Sequence, residues 1–138
     1  MITRAIEKAF ETAKERNWDR TFWAFDIHGT VVVPNWEHGN IPNEFYPYAK
    51  EALQIITKRE DITSLLFTCS LPEEIPLYLE LFKNNDIHFD YVNKNPAIQN
   101  QGYGYYNDKP YFNVLFEDKA GFDPLTDWEL VLELIKKN

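Results

Sequence analysis

Three observations predict an α/β fold, a three-layer α/β/α sandwich of the Rossmann-like kind with a mostly parallel central sheet. Helical and strand periodicities alternate along the chain, the strand segments are nearly continuous apolar runs, and the first of them ends abruptly in Asp26-Ile27-His28-Gly29-Thr30. A strand buried on both faces reads as such a run, and strands alternating with amphipathic helices imply parallel pairing through right-handed crossovers. Strand ends then become the place to look for chemistry, because open α/β sheets bind their ligands outside the carboxyl ends of their strands.

The elements follow in order. Ile2, Ala5, Ile6, Ala9, Phe10 and Ala13 recur at helical spacing between charged residues, which predicts an amphipathic helix over 2–16. Residues 22–27 read as the first buried strand, followed over 34–47 by a polar loop rich in Pro, Asn, Gly and aromatics, too long for a simple connector. Ala49, Ala52, Leu53 and Ile56 predict a helix over 48–58, and 62–68 a second strand. Ser70 with Glu73 has the spacing of a capping box with Pro72 in the first turn, so a helix is expected over 71–83, with Pro76 able to bend it. Residues 89–92 and 111–116 read as third and fourth strands, separated by a loop over 93–108. Thr126 and Glu129 form a second capping-box pattern, opening a last helix through Lys136 that turns Trp128, Val131, Leu132 and Ile135 inward.

Composition narrows the classes of function. A chain of 138 residues with 44% hydrophobic content suits one domain over 1–138 with its own core. A net charge of -8 argues against a binder of nucleic-acid polymers, which exploit a basic face to release counterions. No apolar stretch reaches the roughly 18 residues of a membrane span, and Arg4, Glu7, Lys8 and Glu11 interrupt any secretory signal. The one cysteine, Cys69, has no intramolecular partner. A cytoplasmic location is the expectation, with Cys69 a buried core thiol.

Three strand ends carry polar groups: Asp26 and His28 after the first strand, Thr68 and Ser70 after the second, Glu117 and Asp118 after the fourth. Each has a plain structural reading. Asp before Gly is common in turns, Thr68 suits a strand-end cap, Ser70 suits the N-cap of the following helix, and Lys109 suits an exposed surface. Two carboxylates ending a buried apolar strand, however, need a cation or solvent to offset their repulsion.

The ordered set resembles the haloacid dehalogenase superfamily of phosphotransferases. Asp26-Ile27-His28-Gly29-Thr30 looks like that family's opening Asp-x-Asp-Gly-Thr, with histidine at the second aspartate. Leu65-Leu66-Phe67-Thr68 resembles the strand whose terminal hydroxyl holds the transferring phosphoryl group, Lys109 precedes the fourth strand as the family's lysine commonly does, and Val114-Leu115-Phe116-Glu117-Asp118 resembles the final acidic motif. The likeness spans about residues 20–123.

The resemblance implies a magnesium-dependent phosphatase acting on a phosphomonoester, either a small molecule or the phosphorylated end of a larger substrate. Asp26 would attack phosphorus, splitting one displacement into two. Magnesium would be held by Asp26, the backbone carbonyl of His28 and Asp118, with Glu117 or Asp123 as alternative ligands. Thr68 would donate to a phosphoryl oxygen, and Lys109, or Lys119 in its place, would balance the charge. The segments 31–46 and 93–108 are too short for the family's cap domain, which implies an open site. Trp36, His38, Phe45 and Tyr46 on one side and Tyr103, Tyr105 and Tyr106 on another are candidates for its rim, or for packing of the loops onto the body.

His28 is the main departure, since the family's second aspartate protonates the leaving group and then activates water. A histidine among carboxylates is a candidate replacement acid. Its presence is equally the mark of a regulatory module that binds phosphate or metal without efficient turnover. A structural α/β domain with an aromatic interaction surface is the third reading.

Overall fold

The computed structural model describes residues 1–37, 40–100, 102 and 104–138. Its chain order is α1 (Ile2–Arg16), β1 (Thr21–Phe25), α2 (Ala49–Ile56), β2 (Ile62–Leu66), α3 (Ile75–Asn84), β3 (Tyr91–Val92), β4 (Val114–Phe116), a single 3-10 turn at Asp118–Ala120, and α4 (Asp127–Lys137). The strands form one sheet in the order β3-β2-β1-β4, parallel at every pairing. This is the α/β, Rossmann-like architecture.

The continuous apolar runs become the central pair. Every residue of β1 and β2 is buried, with Trp23 opposite Ser64 and Phe25 opposite Leu66. On one sheet face Trp23, Phe25, Val114 and Phe116 join the core with Ile6, Leu53, Phe82 and Trp128. Aromatic rings tie the helices to that face: Phe10 of α1 meets Trp23 edge-on at 5.6 Å, and Trp128 of α4 stacks on Phe116 at 5.5 Å. Phe89, just before β3, links Phe25 at 5.7 Å to Phe82 of α3 at 5.1 Å. On the opposite face, Phe22 meets Tyr111 at 6.0 Å, and Phe67 meets Phe112 at 5.9 Å. The covering there comes from the segment leading into β4, in which Asn95 Nδ2 donates to the Tyr111 carbonyl.

Local chemistry moves several boundaries. The Ser70 box does not form: the Ser70 hydroxyl pairs with Thr68 Oγ1 at 2.8 Å, and Glu74 Oε1 accepts from the Leu71 amide instead. Helix α3 therefore begins at Ile75, which puts Pro76 within its first two positions, where a missing amide donor costs no hydrogen bond. Likewise Thr126 makes no side-chain cap; the Asp127 carboxylate accepts from the Asp123 amide at 2.8 Å and fixes the entry to α4. Strands three and four are shorter than their apolar runs, and at their starts side-chain oxygens take ladder donors of the neighbouring strands: Asp90 Oδ2 accepts from the Ser64 amide at 2.8 Å and Asn113 Oδ1 from the Phe22 amide at 2.7 Å. Among the described residues, no helix is long and apolar enough to cross a membrane.

Candidate functional site

Strand β1 delivers Asp26 to the carboxyl edge of the sheet, where the Asp26 amide still donates to the Phe116 carbonyl at 2.9 Å. Immediately beyond, the chain turns tightly: the amides of Val31 and Val32 both donate to the Ile27 carbonyl. Gly29 makes that turn with φ of +76°, a left-handed conformation costly for a residue with a Cβ. The long loop that follows is closed at its base, where Val32 bridges Phe45 antiparallel and the Val33 amide donates to the Glu44 carbonyl.

Thr30 joins the two acidic segments. Its buried hydroxyl donates to Asp26 Oδ2 at 3.1 Å and accepts from the Asp118 amide at 3.1 Å. The Thr30 carbonyl in turn accepts from Trp128 Nε1 at 2.7 Å, so the turn is anchored to α4 through a fully buried indole. The carboxylates of Asp26, Glu117 and Asp118 come together here, with ligand-capable oxygens all within 4.8 Å of one another.

These residues share a cleft of about 400 Å³ with His28, Gly29, Pro34, Phe67, Thr68, Cys69 and Lys119. Segments after β1, β2 and β4 thus converge as the sequence predicts. Thr68 is held by Asn93, whose Oδ1 accepts from the Thr68 amide and whose Nδ2 donates to its carbonyl. Asn93 has φ of 55°, a left-handed conformation that asparagine tolerates better than most residues, and its side chain locks the end of β2 to the end of β3.

Partial burial in this acidic cleft favours the protonated forms of Glu117 and Asp26. Burial, reinforced by the hydrogen bond to Asp118 and by the charges of Asp26 and Asp118, pushes Glu117 up to about 7. Burial also raises Asp26, against the lowering effect of the Thr30 hydroxyl. Such all-oxygen, anionic donors suit a hard divalent cation, which would replace the retained proton. The missing Cβ at position 29 makes room for this arrangement, since one built there would lie 2.8 Å from Asp118 Oδ2.

His28 lines the cleft with its ring between Trp36, 5.4 Å away, and Tyr78, 5.2 Å away. Its Nε2 is hydrogen-bonded to the Tyr78 hydroxyl. Tyr78 is fully buried on α3, and burial, with the charge of Glu74 adding to it, pushes its phenol up to about 12. Tyr78 therefore remains neutral near pH 7. Its helical spacing marks it as core, and nothing in the linear sequence pairs it with a turn fifty positions earlier.

Lys119 lines the cleft, whereas Lys109 is exposed and outside its lining. Asp123 also lies outside the lining; its Oδ1 accepts from the Leu125 amide. Cys69 is exposed in the cleft rather than buried, because the chain leaves the sheet at Phe67. Of the expected rim, Trp36 approaches His28, but Phe45 packs on Phe82 at 6.1 Å and Tyr46 packs against the core. Tyr105 is exposed and Tyr106 packs on Tyr111, while His38 and Tyr103 lie outside the described residues.

The fold and cleft define an α/β parallel-sheet protein with an acidic cluster at the carboxyl edge. No family model matches the chain, and no curated protein matches it. It is similar to a solved structure, that of a conserved protein from Bacteroides thetaiotaomicron, with a TM-score of 0.64, 24% identity, and coverage of 86% of this chain and 91% of that one. This likeness shows the fold alone.

Proposed function

We propose that the protein is a magnesium-dependent phosphomonoester hydrolase of the haloacid dehalogenase type, working through an aspartyl-phosphate in the cytoplasm. The observation that carries this reading is the convergence of Asp26, Glu117 and Asp118 within 4.8 Å in a cleft that Thr68 and Lys119 also line. A carboxylate oxygen of Asp26 attacks phosphorus as the bond from phosphorus to the ester oxygen breaks, and the departing oxygen takes a proton from His28 Nδ1 or from water in the open cleft. Water then attacks the phosphorus, inorganic phosphate leaves, and the Asp26 carboxylate is regenerated. Thr30 orients Asp26 through Oδ2, Thr68 donates its hydroxyl to a phosphoryl oxygen, and Lys119, rather than Lys109, offsets the assembled negative charge. Asp26, Asp118 and the His28 carbonyl would hold magnesium, which supplies charge neutralisation at the phosphoryl group. The open cleft suits a small phosphorylated molecule or the phosphorylated end of a larger one.

A second reading, a phosphate- or metal-binding module with little turnover, is favoured by the His28–Tyr78 hydrogen bond. An imidazole committed through Nε2 to a buried phenol has only Nδ1 left for acid work. A panel of phosphomonoesters assayed with magnesium, comparing the native chain with Asp26→Asn, tests the first reading. It fails if no ester is hydrolysed faster by the native chain. His28→Asp separates the two readings: a large gain in hydrolysis identifies an impaired site, and a loss identifies an adapted histidine acid.

A further inference from the structure

At the opposite, amino-terminal edge of the sheet lies a cavity of about 770 Å³, within the size range of small-molecule sites. It opens where the segment covering the second sheet face meets the beginnings of β1 and β4. One wall is aromatic: Tyr111 stands edge-on to Phe22 at 6.0 Å and to Tyr106 at 5.7 Å, with Ile98 beside them. Asn113 stiffens that wall. Its backbone amide donates to the Phe22 carbonyl, its Oδ1 accepts from the Phe22 amide at 2.7 Å, and its Nδ2 donates to the Tyr111 hydroxyl at 3.1 Å.

The other wall carries cations. Asn17, with φ of 55°, ends α1 in a left-handed turn that brings Trp18 and Arg20 to the cavity beside Arg16. The Arg16 guanidinium lies 5.6 Å from the Trp18 ring centroid, and Arg20 Nη1 donates to Thr63 Oγ1 at 3.1 Å. Neither arginine has a carboxylate within salt-bridge distance among the described residues, and Asp19 is the one acid in the lining. The carbonyl end of α1 accounts for a cation at Arg16, but it does not account for Arg20 beyond the helix. In a chain of net charge -8, two arginines against one acid leave this ring-lined pocket locally positive.

We infer that this cavity is a second binding site, for a mononucleotide-like ligand whose ring packs against Tyr106, Tyr111 and Trp18 and whose phosphate meets Arg16 and Arg20. Phe22 in the cavity wall stands four residues before Asp26, roughly 13 Å at about 3.3 Å each, and Arg20 six residues before it, roughly 20 Å, so a mononucleotide whose phosphate meets Arg20 does not present it to the acidic cleft. The inference does not rest on the hydrolase reading.

Adenosine monophosphate in the presence of a chelator is the probe, followed by calorimetry and by quenching of tryptophan fluorescence. Saturable binding is expected, weakened by raised salt and stronger than that of adenosine or inorganic phosphate alone. Arg16→Gln combined with Arg20→Gln is expected to weaken it by at least about tenfold, and Asp26→Asn to leave it unchanged. Arg16→Gln alone removes no described hydrogen bond, so it serves should the double variant lose its circular-dichroism signature. Absence of saturation, equal binding of adenosine, indifference to the arginine changes, or loss in Asp26→Asn would each overturn the inference.

Discussion

The Asp118 carboxylate rests directly over Gly29, so closely that a Cβ on residue 29 would stand 2.8 Å from Oδ2 and 3.3 Å from Cγ. Two requirements therefore meet at one glycine: a φ of +76° and open space for an acid from another strand. The glycine three residues after Asp26 is then more than a turn signal, because it sets how near β4's acidic end comes to β1's.

Gly29→Ala is expected to cost about 1–2 kcal/mol from the left-handed backbone alone, and more from displacing Asp118. Thermal unfolding reads the first effect. Isothermal titration with magnesium reads the second, and unchanged metal affinity in a folded Gly29→Ala chain would dissociate the glycine from the acidic cluster.

Thr30→Val keeps the shape of the side chain but removes the hydroxyl between Asp26 and the Asp118 amide. A loss of about 1–3 kcal/mol is expected because two hydrogen bonds go, one of them to a carboxylate, together with reduced hydrolysis. Thr30→Ser, which retains the hydroxyl, should recover most of both. Equal behaviour of the valine and serine variants would show that the bridge contributes little.

The proton held by Glu117 makes the metal-free protein sensitive to pH. Its folded value of about 7 lies above its ordinary 4.5, so the folded state binds more protons than the unfolded chain between those limits. That contribution to stability is full below pH 4.5 and is lost as pH rises through about 7. Asp26 acts in the same direction. Melting temperatures in a chelator should therefore fall across that interval, and Glu117→Gln should flatten the fall. Magnesium should raise the melting temperature more at pH 8 than at pH 5, because protons compete for the same oxygens.

Tyr78→Phe removes the hydroxyl bonded to His28 from an otherwise unchanged core position. It should cost roughly 1 kcal/mol, or about 3–5 °C in melting temperature. If the tyrosine orients the imidazole for turnover, kcat falls while KM stays near its native value. A variant whose pH–rate profile and kcat match the native chain's would confine Tyr78 to packing.

The sheet was legible because its central strands are buried on both sides, and the apolar runs reaching Phe25, Phe67 and Phe116 each stop where oxygen-bearing side chains begin. The meeting of Asp26 with Glu117 and Asp118 follows from β1 and β4 being neighbours, a pairing that parallel topology favours but local pattern does not specify. Less legible was everything decided by competition among polar groups. Ser70 had two partners in reach and took Thr68, so the expected helix start moved to Ile75. Thr126 gave its hydroxyl to Asp127 Oδ1 at 3.4 Å rather than capping α4, and Asp127 in turn took the Asp123 amide. Which of Lys109 and Lys119 lines the cleft depended on how the chain enters and leaves β4, which spacing alone left open. The His28–Tyr78 contact had no linear trace, since a tyrosine at a core position of a helix announces only hydrophobic burial.

Both outermost strands are brief, with two residues in β3 and three in β4. A foreign backbone seeking to extend the sheet would find only one or two free ladder positions on either flank, too few to hold it in register. The two longest strands, whose sequences would be the most adhesive if bared, sit shielded in the middle. Brevity at the margins thus guards an unusually aromatic interior against self-association.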